Sequence, residues 1–552
     1  MRNLATLSLA LPALSYLIGC GAAGVPARPP AATPAAATAE APKRPAPLEL
    51  DRAPFTVPLD LRTEPAHLMD LPASELTPAA LPAAPASVPA PPKSCALAPR
   101  PLRSSCADPA AARAALADAL ASPAAQQQAE LAALEGCAGL PGGFVSALRA
   151  ELAPAVCADV VAAPALSRPA ASIRPLITGA LQGHVVAGRL ARLPSPPPRL
   201  EPPFDKQRVL DHIRGPVARW LVEQSEAVEE TSRAAERLTF YGRAVAALEA
   251  GMADLRMVEA MRAMPVSDEI ARDPELRSVY EGALEESLDP RKARGRDAVL
   301  VALGDFAAVG ALSDPRVTRA RALLAKMYGG RRIDALDALW LPSLPELKAA
   351  TVEQRLALSL PTFYSAVLLD PAVVSDEATL VALSGRGVPG PARRAMSGRA
   401  TPEAKRQAAV LRLRFGQTYW RAFDFDEAAT LLRDAPHTGE PGLLLALALA
   451  LRGGPENAAA MMRRAPGKAL SLGDPRALEQ VAKGTDELAG LAAYDAAVLR
   501  ELTVAPDAPA AFWDDLAGRY DAAAARITLP AWRARATSAA AAARAIRAAL
   551  PR

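Results

Sequence analysis

The chain contains few aromatic residues and few stretches in which β-branched and polar residues alternate. Phe, Trp and Tyr together make up 4% of its 552 residues, and alanine is abundant throughout. Alanine is the strongest helix former, whereas half-buried strands favour aromatic and β-branched residues. The composition therefore argues against a β-sheet protein and predicts an all-α fold, in a chain long enough for about two to four domains.

The sequence also lacks the charge imbalance and the ligand residues that mark several classes of protein. Its 63 basic and 59 acidic residues nearly cancel and give a net charge of +4, so the overall charge of the chain does not predict binding to nucleic acid. Four histidines occur in the chain, and no two cysteines have the C-x-x-C spacing, which argues against zinc. We therefore expect no metal and no cofactor.

Motifs of common enzyme classes are missing as well. The chain contains no G-x-S-x-G, H-E-x-x-H or Walker sequence. Residues 385–390 (GRGVPG) match the dinucleotide pattern G-x-G-x-x-G, but they follow a helix-like stretch instead of a strand. Pro389 would also remove an N–H from the phosphate-binding loop, so we predict an ordinary helix–helix loop here.

Long apolar runs are scarce, and the most informative one lies at the N-terminus. Met1-Arg2-Asn3 precedes an apolar stretch from Leu4 to Ile18, which is too short for a permanent membrane span and suits a signal peptide. The run ends in Leu17-Ile18-Gly19-Cys20, which resembles the lipobox of bacterial lipoproteins. The resemblance implies a signal peptide over residues 1–19 and lipidation of Cys20.

The residue after the cysteine refines the expected location. In lipoproteins of this kind an Asp after the lipidated cysteine holds many members at the inner membrane, and this chain has Gly21. The resemblance thus implies an outer-membrane lipoprotein whose body faces the periplasm or the cell surface. The alternative is an ordinary secretory signal in which Cys20 is incidental.

A Pro/Ala-rich segment, residues 20–92, follows the predicted anchor. Seventeen prolines lie between Gly21 and Pro92, and because each proline lacks an N–H and has a fixed φ, continuous helix is excluded. We predict a disordered linker. Within it, residues 55–61 (FTVPLDL) alternate apolar and polar side chains, so this stretch is either disordered or docked as an extended strand on the body or on a partner.

The four cysteines after Cys20 predict a disulfide-stapled helical subdomain over residues 93–163. In an exported protein, such an even and clustered set indicates two disulfides. Asp108-Pro109 predicts a helix to about Ala121, and Pro123 a second helix ending near Glu135. This hairpin would bring Cys106 beside Cys137. We expect a third helix from Phe144 to place Cys157 far from Cys137, which leaves Cys95 to pair with Cys157.

A Pro-rich connector, residues 164–203, leads to the rest of the chain. Residues 173–193 combine regularly spaced Leu, Ile and Val with Arg174, Arg189 and Arg192 and contain no acid. Such a segment is either a basic helix that lies on a membrane or a short packed helix. We favour the packed helix, although Gly179, Gly183 and Gly188 lower its intrinsic helix propensity.

Repeated helix starts dominate the remainder. Asp-Pro pairs, which combine an N-cap with a proline preset for helical φ, recur at 273–274, 289–290, 314–315, 370–371 and 474–475. Two further helix starts are predicted at Thr401-Pro402 and at the capping box of residues 351–354 (TVEQ). We predict a solenoid or helical array, with an irregular helical-repeat region at 204–400 and a second region at 401–552 that ends in a capping helix.

The second region resembles the tetratricopeptide repeat. Residues 415–419 (FGQTY), Ala428, Leu432 and 435–436 (AP) recur thirty residues later as Leu445, Ala446, Leu449, Ala458, Met462 and 465–466 (AP). The resemblance implies that Gln417, Trp420 and Arg421 lie on a concave face that binds a partner. Trp420 could instead pack against the next helix.

The combined pattern predicts a lipid-anchored, non-enzymatic scaffold that binds an envelope protein or peptide through its helical repeats. The alternative is an envelope enzyme that acts on peptidoglycan or another glycan. Some lytic transglycosylases build a helical superhelix, but their Gly-Leu-Met-Gln signature is missing from this chain.

Overall fold

All regular secondary structure in the described part of the chain is helical, which confirms the all-α helical array. The computed structural model describes residues 55, 57, 80–95, 106–167, 175–238, 240–328, 332–343, 348–369, 401–463, 470–505 and 507–550. The helices of its first half are α1 (Pro109–Ala121), α2 (Ala124–Ala132), α3 (Phe144–Leu152), α4 (Ala158–Leu166), α5 (Pro175–Ala191), α6 (Lys206–His212), α7 (Ala218–Glu236), α8 (Phe240–Arg262), α9 (Asp268–Arg272) and α10 (Pro274–Val309). Those of its second half are α11 (Pro315–Met327), α12 (Val352–Ser359), α13 (Thr362–Leu368), α14 (Pro402–Tyr419), α15 (Ala422–Leu431), α16 (Gly439–Leu451), α17 (Ala458–Arg463), α18 (Arg476–Val481), α19 (Glu487–Leu502), α20 (Ala510–Arg526) and α21 (Pro530–Ala549).

Most of the predicted helix starts are confirmed. Asp108, Asp273 and Asp314 each accept a hydrogen bond from a backbone N–H in the first turn of α1, α10 and α11, and the proline that follows each is the first helical residue. Such caps satisfy N–H groups that have no partner within the helix. Thr401 caps α14 in the same way, and Thr351 forms a full capping box with Gln354. The pair at 370–371 lies outside the described residues.

The prediction that Asp289-Pro290 begins a helix is wrong. Helix α10 runs without interruption for 36 residues and contains Pro290. Two observations explain why the helix continues. The proline leaves the Glu286 carbonyl without an N–H partner, but Glu286 is exposed to water. Just beyond the proline, Arg291 and Arg294 are held by the buried Asp254 of α8. The proline is therefore tolerated at an exposed position.

Both predicted disulfides are present in the structure. Cys95 is bonded to Cys157 and Cys106 to Cys137, each pair with a Cα–Cα distance of 5.1 Å. One premise of the pairing was wrong, however: α3 ends at Leu152 and does not reach Cys157. Ala153 precedes a proline and is extended, and a 3₁₀ turn then carries Cys157 towards Cys95.

Helix α5 lies at the centre of the first half, which confirms the prediction of a packed helix over residues 173–193. It packs against α3, α4, α7 and α8, and most of its residues are buried. The glycines that lower its helix propensity let α5 and α8 cross closely. A Cβ on Gly183 would lie 2.4 Å from Cα of Gly242, and a Cβ on Gly242 would lie 2.1 Å from the Gly179 carbonyl oxygen.

The second region is an array in which helices close in sequence pack together. The packed pairs are α14–α15, α15–α16, α16–α18, α18–α19, α19–α20 and α20–α21. Gly416 of α14 faces the ring of Phe425 of α15, and a Cβ there would lie 2.2 Å from the ring. The last helix, α21, buries Ala536, Ala540 and Ala543 along one face.

One hydrophobic core joins these parts and includes residues of the predicted linker. The core contains Phe55 and Val57, and Leu81 and Val88 pack against it. Residues 80–92, which were predicted to belong to the linker, therefore lie against the helices in the structure.

Candidate functional site

A group of buried ionisable side chains surrounds Glu151, near the end of α3. Its Oε2 accepts a hydrogen bond from the Tyr241 hydroxyl at 2.7 Å, and its Oε1 accepts one from Nε of Arg316 at 2.5 Å. Nε2 of His184 lies 3.3 Å from Oε2 of Glu151 and 3.0 Å from the Tyr364 hydroxyl. We call these five residues the Glu151 cluster.

Burial and the Arg316 charge set the ionisation states in the cluster. Burial alone would raise the pKa of Glu151, but the charge of Arg316 and the hydrogen bonds from His184 and Arg316 outweigh it and hold the pKa well below its usual range. Burial lowers the pKa of His184, which its contact with Glu151 only partly offsets. Burial and the Glu151 charge raise the pKa of Tyr241 and Tyr364 well above 10. The cluster is an ion pair hydrogen-bonded to neutral side chains.

The hydrogen bonds also fix the tautomer of His184. Tyr364 donates its hydroxyl proton to the Ala147 carbonyl at 2.9 Å, so its oxygen accepts from Nε2 of His184. Nε2 therefore carries the imidazole proton. Nδ1 is buried and has no hydrogen-bond partner among the described residues.

Aromatic packing encloses the cluster. Tyr241 stacks on Phe363 with ring centroids 4.2 Å apart, and Phe144 meets the edge of Tyr364 at 5.6 Å. The side chain of His184 is fully buried, and that of Glu151 is 6% exposed. Because each member comes from a different helix (α3, α5, α8, α11 and α13), the cluster joins the disulfide-stapled helices to the later ones. We interpret it as a structural ion-pair network.

A second buried network joins α7, α8 and α10. Asp254 accepts hydrogen bonds from Nε and Nη2 of Arg294 at 3.0 and 2.5 Å and lies 3.3 Å from Nη1 of Arg291. Arg291 also donates to the Ser225 hydroxyl at 2.6 Å. This network again links three helices through one carboxylate.

Asp495 of α19 is a buried carboxyl with a single backbone hydrogen bond. Its Oδ1 accepts from the Trp340 N–H at 2.8 Å, and its Oδ2 is buried with no hydrogen-bond partner in the described part of the chain. Burial raises the pKa of Asp495 well above 3.8, and the bond from Trp340 opposes this only in part. The carboxyl is stabilised in its protonated form.

The residues predicted to bind a partner lie in the interior. Gln417 is 8% exposed, Trp420 1% and Arg421 6%. The Trp420 indole donates to the Ile333 carbonyl at 2.8 Å, Gln417 donates to the Leu339 carbonyl, and Arg421 pairs with the buried Asp424. The segment that contains Ile333 and Leu339 contacts Gln417 and Trp420, and all three side chains are buried within the array. The indole of Trp420 bonds to this earlier segment, whereas the alternative in the sequence analysis had it pack against the next helix.

Exposed apolar side chains are few in the described residues, and two of them lie one turn apart. Leu276 is 42% exposed and Val279 47%, both in the first turns of α10. Tyr280 on the adjacent face packs onto a small separate core that α10 forms with α8. The start of α10 is thus fixed on one side and presents an apolar pair to solvent on the other.

Several expectations concern residues outside the described part, among them Cys20 and the GRGVPG loop. In the part that was searched, no group of His, Cys, Asp or Glu side chains could hold a metal ion. Within the same described ranges, no helix is both long enough and apolar enough to cross a membrane. No family model, no curated protein and no solved structure matches this chain.

Proposed function

We propose that this protein is a lipid-anchored scaffold of the bacterial outer membrane, with a helical body that binds an envelope protein or peptide. The lipobox-like sequence that ends at Cys20 supports the anchor. The two disulfides support export, because disulfides persist in oxidising compartments such as the periplasm. The repeat-like helix pairs between Pro402 and Arg463 support a binding role by resemblance.

The observation that carries the binding proposal is the apolar pair on α10. Leu276 and Val279 are spaced so that they lie on one helix face, and both remain exposed although the rest of α10 buries its large apolar residues. Charged residues flank them, including Arg277 and Glu281, which pair at 2.8 Å. An apolar centre with a charged rim is typical of a protein contact. The partner would present apolar side chains with charged groups around them.

The anchor is tested by metabolic labelling with palmitate. We expect the wild-type protein to incorporate the label and Cys20→Ser to incorporate none, because the thiol is the acyl acceptor. Fractionation should place the labelled protein in the outer membrane. Label in the Cys20→Ser protein would contradict the anchor.

The binding surface is tested by crosslinking in the native envelope. We expect one crosslinked partner to be retained by the wild type and lost in Leu276→Asp/Val279→Asp. Ile546→Asp is the matched control, because Ile546 is 39% exposed on another helix. Each protein should keep its circular dichroism melt. Retention of the partner by the α10 variant, or its equal loss in the control, would refute this surface.

A further inference from the structure

The exposed start of α10 carries a surplus of negative charge. Residues 268–289 contain eight acidic and two basic residues. Five of the acids form ion pairs with nearby cations, namely Asp268, Glu269, Glu281, Glu285 and Asp289. Asp273 caps the helix, which leaves Glu275 and Glu286 exposed and without an ion pair among the described residues.

These two carboxylates lie at either end of the exposed apolar pair. One face of the helix carries residues at positions i, i+4, i+7 and i+11, and these are Glu275, Val279, Gly282 and Glu286. Leu276 lies directly beside this row. At 1.5 Å per residue, Glu275 and Glu286 are about 16 Å apart along the helix axis. We call these five residues the α10 stripe.

Gly282, in the middle of the α10 stripe, is not explained by packing against any described residue. Glycine weakens a helix interior relative to alanine, but it allows another chain to come close to the backbone. Gly295 of the same helix is explained in this way, because an added Cβ would lie 2.9 Å from Cε of Met327. At Gly282, an added Cβ would meet no atom within 4 Å. The open space beside Gly282 can therefore admit the backbone of a partner.

We propose that the α10 stripe binds a basic amphipathic helix of the envelope partner, which crosses α10 at Gly282. The proposal rests on the binding role proposed above and names the chemistry of the partner. Apolar side chains of the partner helix would cover Leu276 and Val279, and its Lys or Arg side chains would pair with Glu275 and Glu286. Such charge complementarity favours association and fixes the register of the two helices.

The charge preference is tested with two model helices and the soluble full chain carrying Cys20→Ser. The probe is a fluorescent helix of leucine and lysine, about four turns long so that it spans the α10 stripe. The matched probe has glutamate in place of every lysine, and anisotropy reports binding. We expect the lysine helix to bind at least about tenfold more tightly than the glutamate helix, and added salt to weaken it. Equal binding of the two helices, or binding of neither, would overturn the proposal.

Two variants of the chain show whether the lysine helix binds at the α10 stripe. Glu275→Lys/Glu286→Lys should reverse the preference in favour of the glutamate helix, because both flanking charges change sign. Leu276→Ser/Val279→Ser should lose binding of the lysine helix, because it removes the apolar contact without adding charge. An unchanged preference in the charge-reversed chain would refute this site.

The crossing at Gly282 is tested by Gly282→Leu. We expect this variant to raise the thermal midpoint of unfolding, because leucine is the better helix former, and to weaken binding of the lysine helix at least about tenfold, because the side chain blocks the close approach. Gly304→Leu is the matched control, since Gly304 is an exposed glycine of the same helix that also meets no atom within 4 Å and lies outside the α10 stripe. The control should raise the midpoint and keep the wild-type affinity. Wild-type affinity in Gly282→Leu would contradict the close crossing.

Light scattering separates the partner helix from a second copy of this chain. A dimer that dissociates in Leu276→Ser/Val279→Ser would show that a second copy covers the α10 stripe, and would overturn the proposal. A monomer, or a dimer that persists in this variant, leaves the stripe open to the partner helix and supports it.

The model helices and the native crosslinking can fail separately. If Leu276→Asp/Val279→Asp loses the native partner while the two model helices bind equally, the basic helix is rejected and the binding role stands. If that variant retains the native partner, the binding role of this surface is rejected instead.

Discussion

Replacement of Gly242 by alanine should separate the two helices at the centre of the first half. The added Cβ would lie 2.1 Å from the Gly179 carbonyl oxygen and 2.8 Å from its carbon, where ordinary contact needs about 3.4 Å or more. Both obstacles are backbone atoms, so no side-chain rotation can relieve them, and α5 and α8 must move apart by about 1 Å. Overpacking of this kind costs about 3 kcal/mol, and the better helix propensity of alanine returns about 1 kcal/mol.

We therefore expect Gly242→Ala to lower the free energy of unfolding by about 2 kcal/mol, measured by urea denaturation with the disulfides intact. Gly304→Ala in α10 is the matched control, because that glycine is also helical but exposed, and an added Cβ meets no atom within 4 Å. The control should gain about 0.5–1 kcal/mol. If Gly242→Ala proves as stable as the wild type, the close crossing of α5 and α8 is wrong.

The buried carboxyls give two further predictions, with opposite dependence on pH. The folded-state pKa of Glu151 is lowered, so its stabilisation is present above pH 4.5 and lost as the pH falls. Glu151→Gln should remove this acid dependence and cost about 3 kcal/mol at pH 7, because Arg316, whose side chain is 15% exposed, loses its counter-charge. The folded-state pKa of Asp495 is raised, so its contribution is complete below pH 3.8 and lost as the pH rises. Asp495→Asn should flatten that decline. Urea midpoints between pH 3 and 9 check both; a wild-type profile in either variant would contradict the corresponding assignment.

Local signals in the sequence were enough to predict most of the helix starts and the helical hairpin that brings Cys106 beside Cys137, whereas the third helix assumed in pairing Cys95 with Cys157 ends at Leu152. An aspartate followed by proline acts within one turn of helix, so Asp108, Asp273 and Asp314 could be interpreted without knowledge of the fold. The prediction of a helix start at Asp289-Pro290 failed because the arginines that follow are held by Asp254, which belongs to another helix. Tertiary contacts then outweigh the local preference.

The Glu151 cluster could not be predicted for the same reason. Its members come from five helices, and Glu151 and Tyr364 are 213 residues apart in the sequence. No spacing rule connects them, and a lone histidine such as His184 gives no hint of its partners.

The burial of Trp420 illustrates another limit of sequence reasoning. The repeat register orients a side chain relative to its own helix pair. It cannot reveal that the segment around Ile333 contacts Trp420 and accepts the indole hydrogen bond.

The continuous helix α10 has a mechanical consequence. A helix of 36 residues is about 54 Å long. Its exposed start carries Leu276 and Val279, and further along it packs against α14 and α17, where Asp297 pairs with Arg463 at 2.9 Å. Pro290 lies between these places and removes one backbone hydrogen bond, but the helix continues through it, so a displacement of the exposed start is passed on to the C-terminal array.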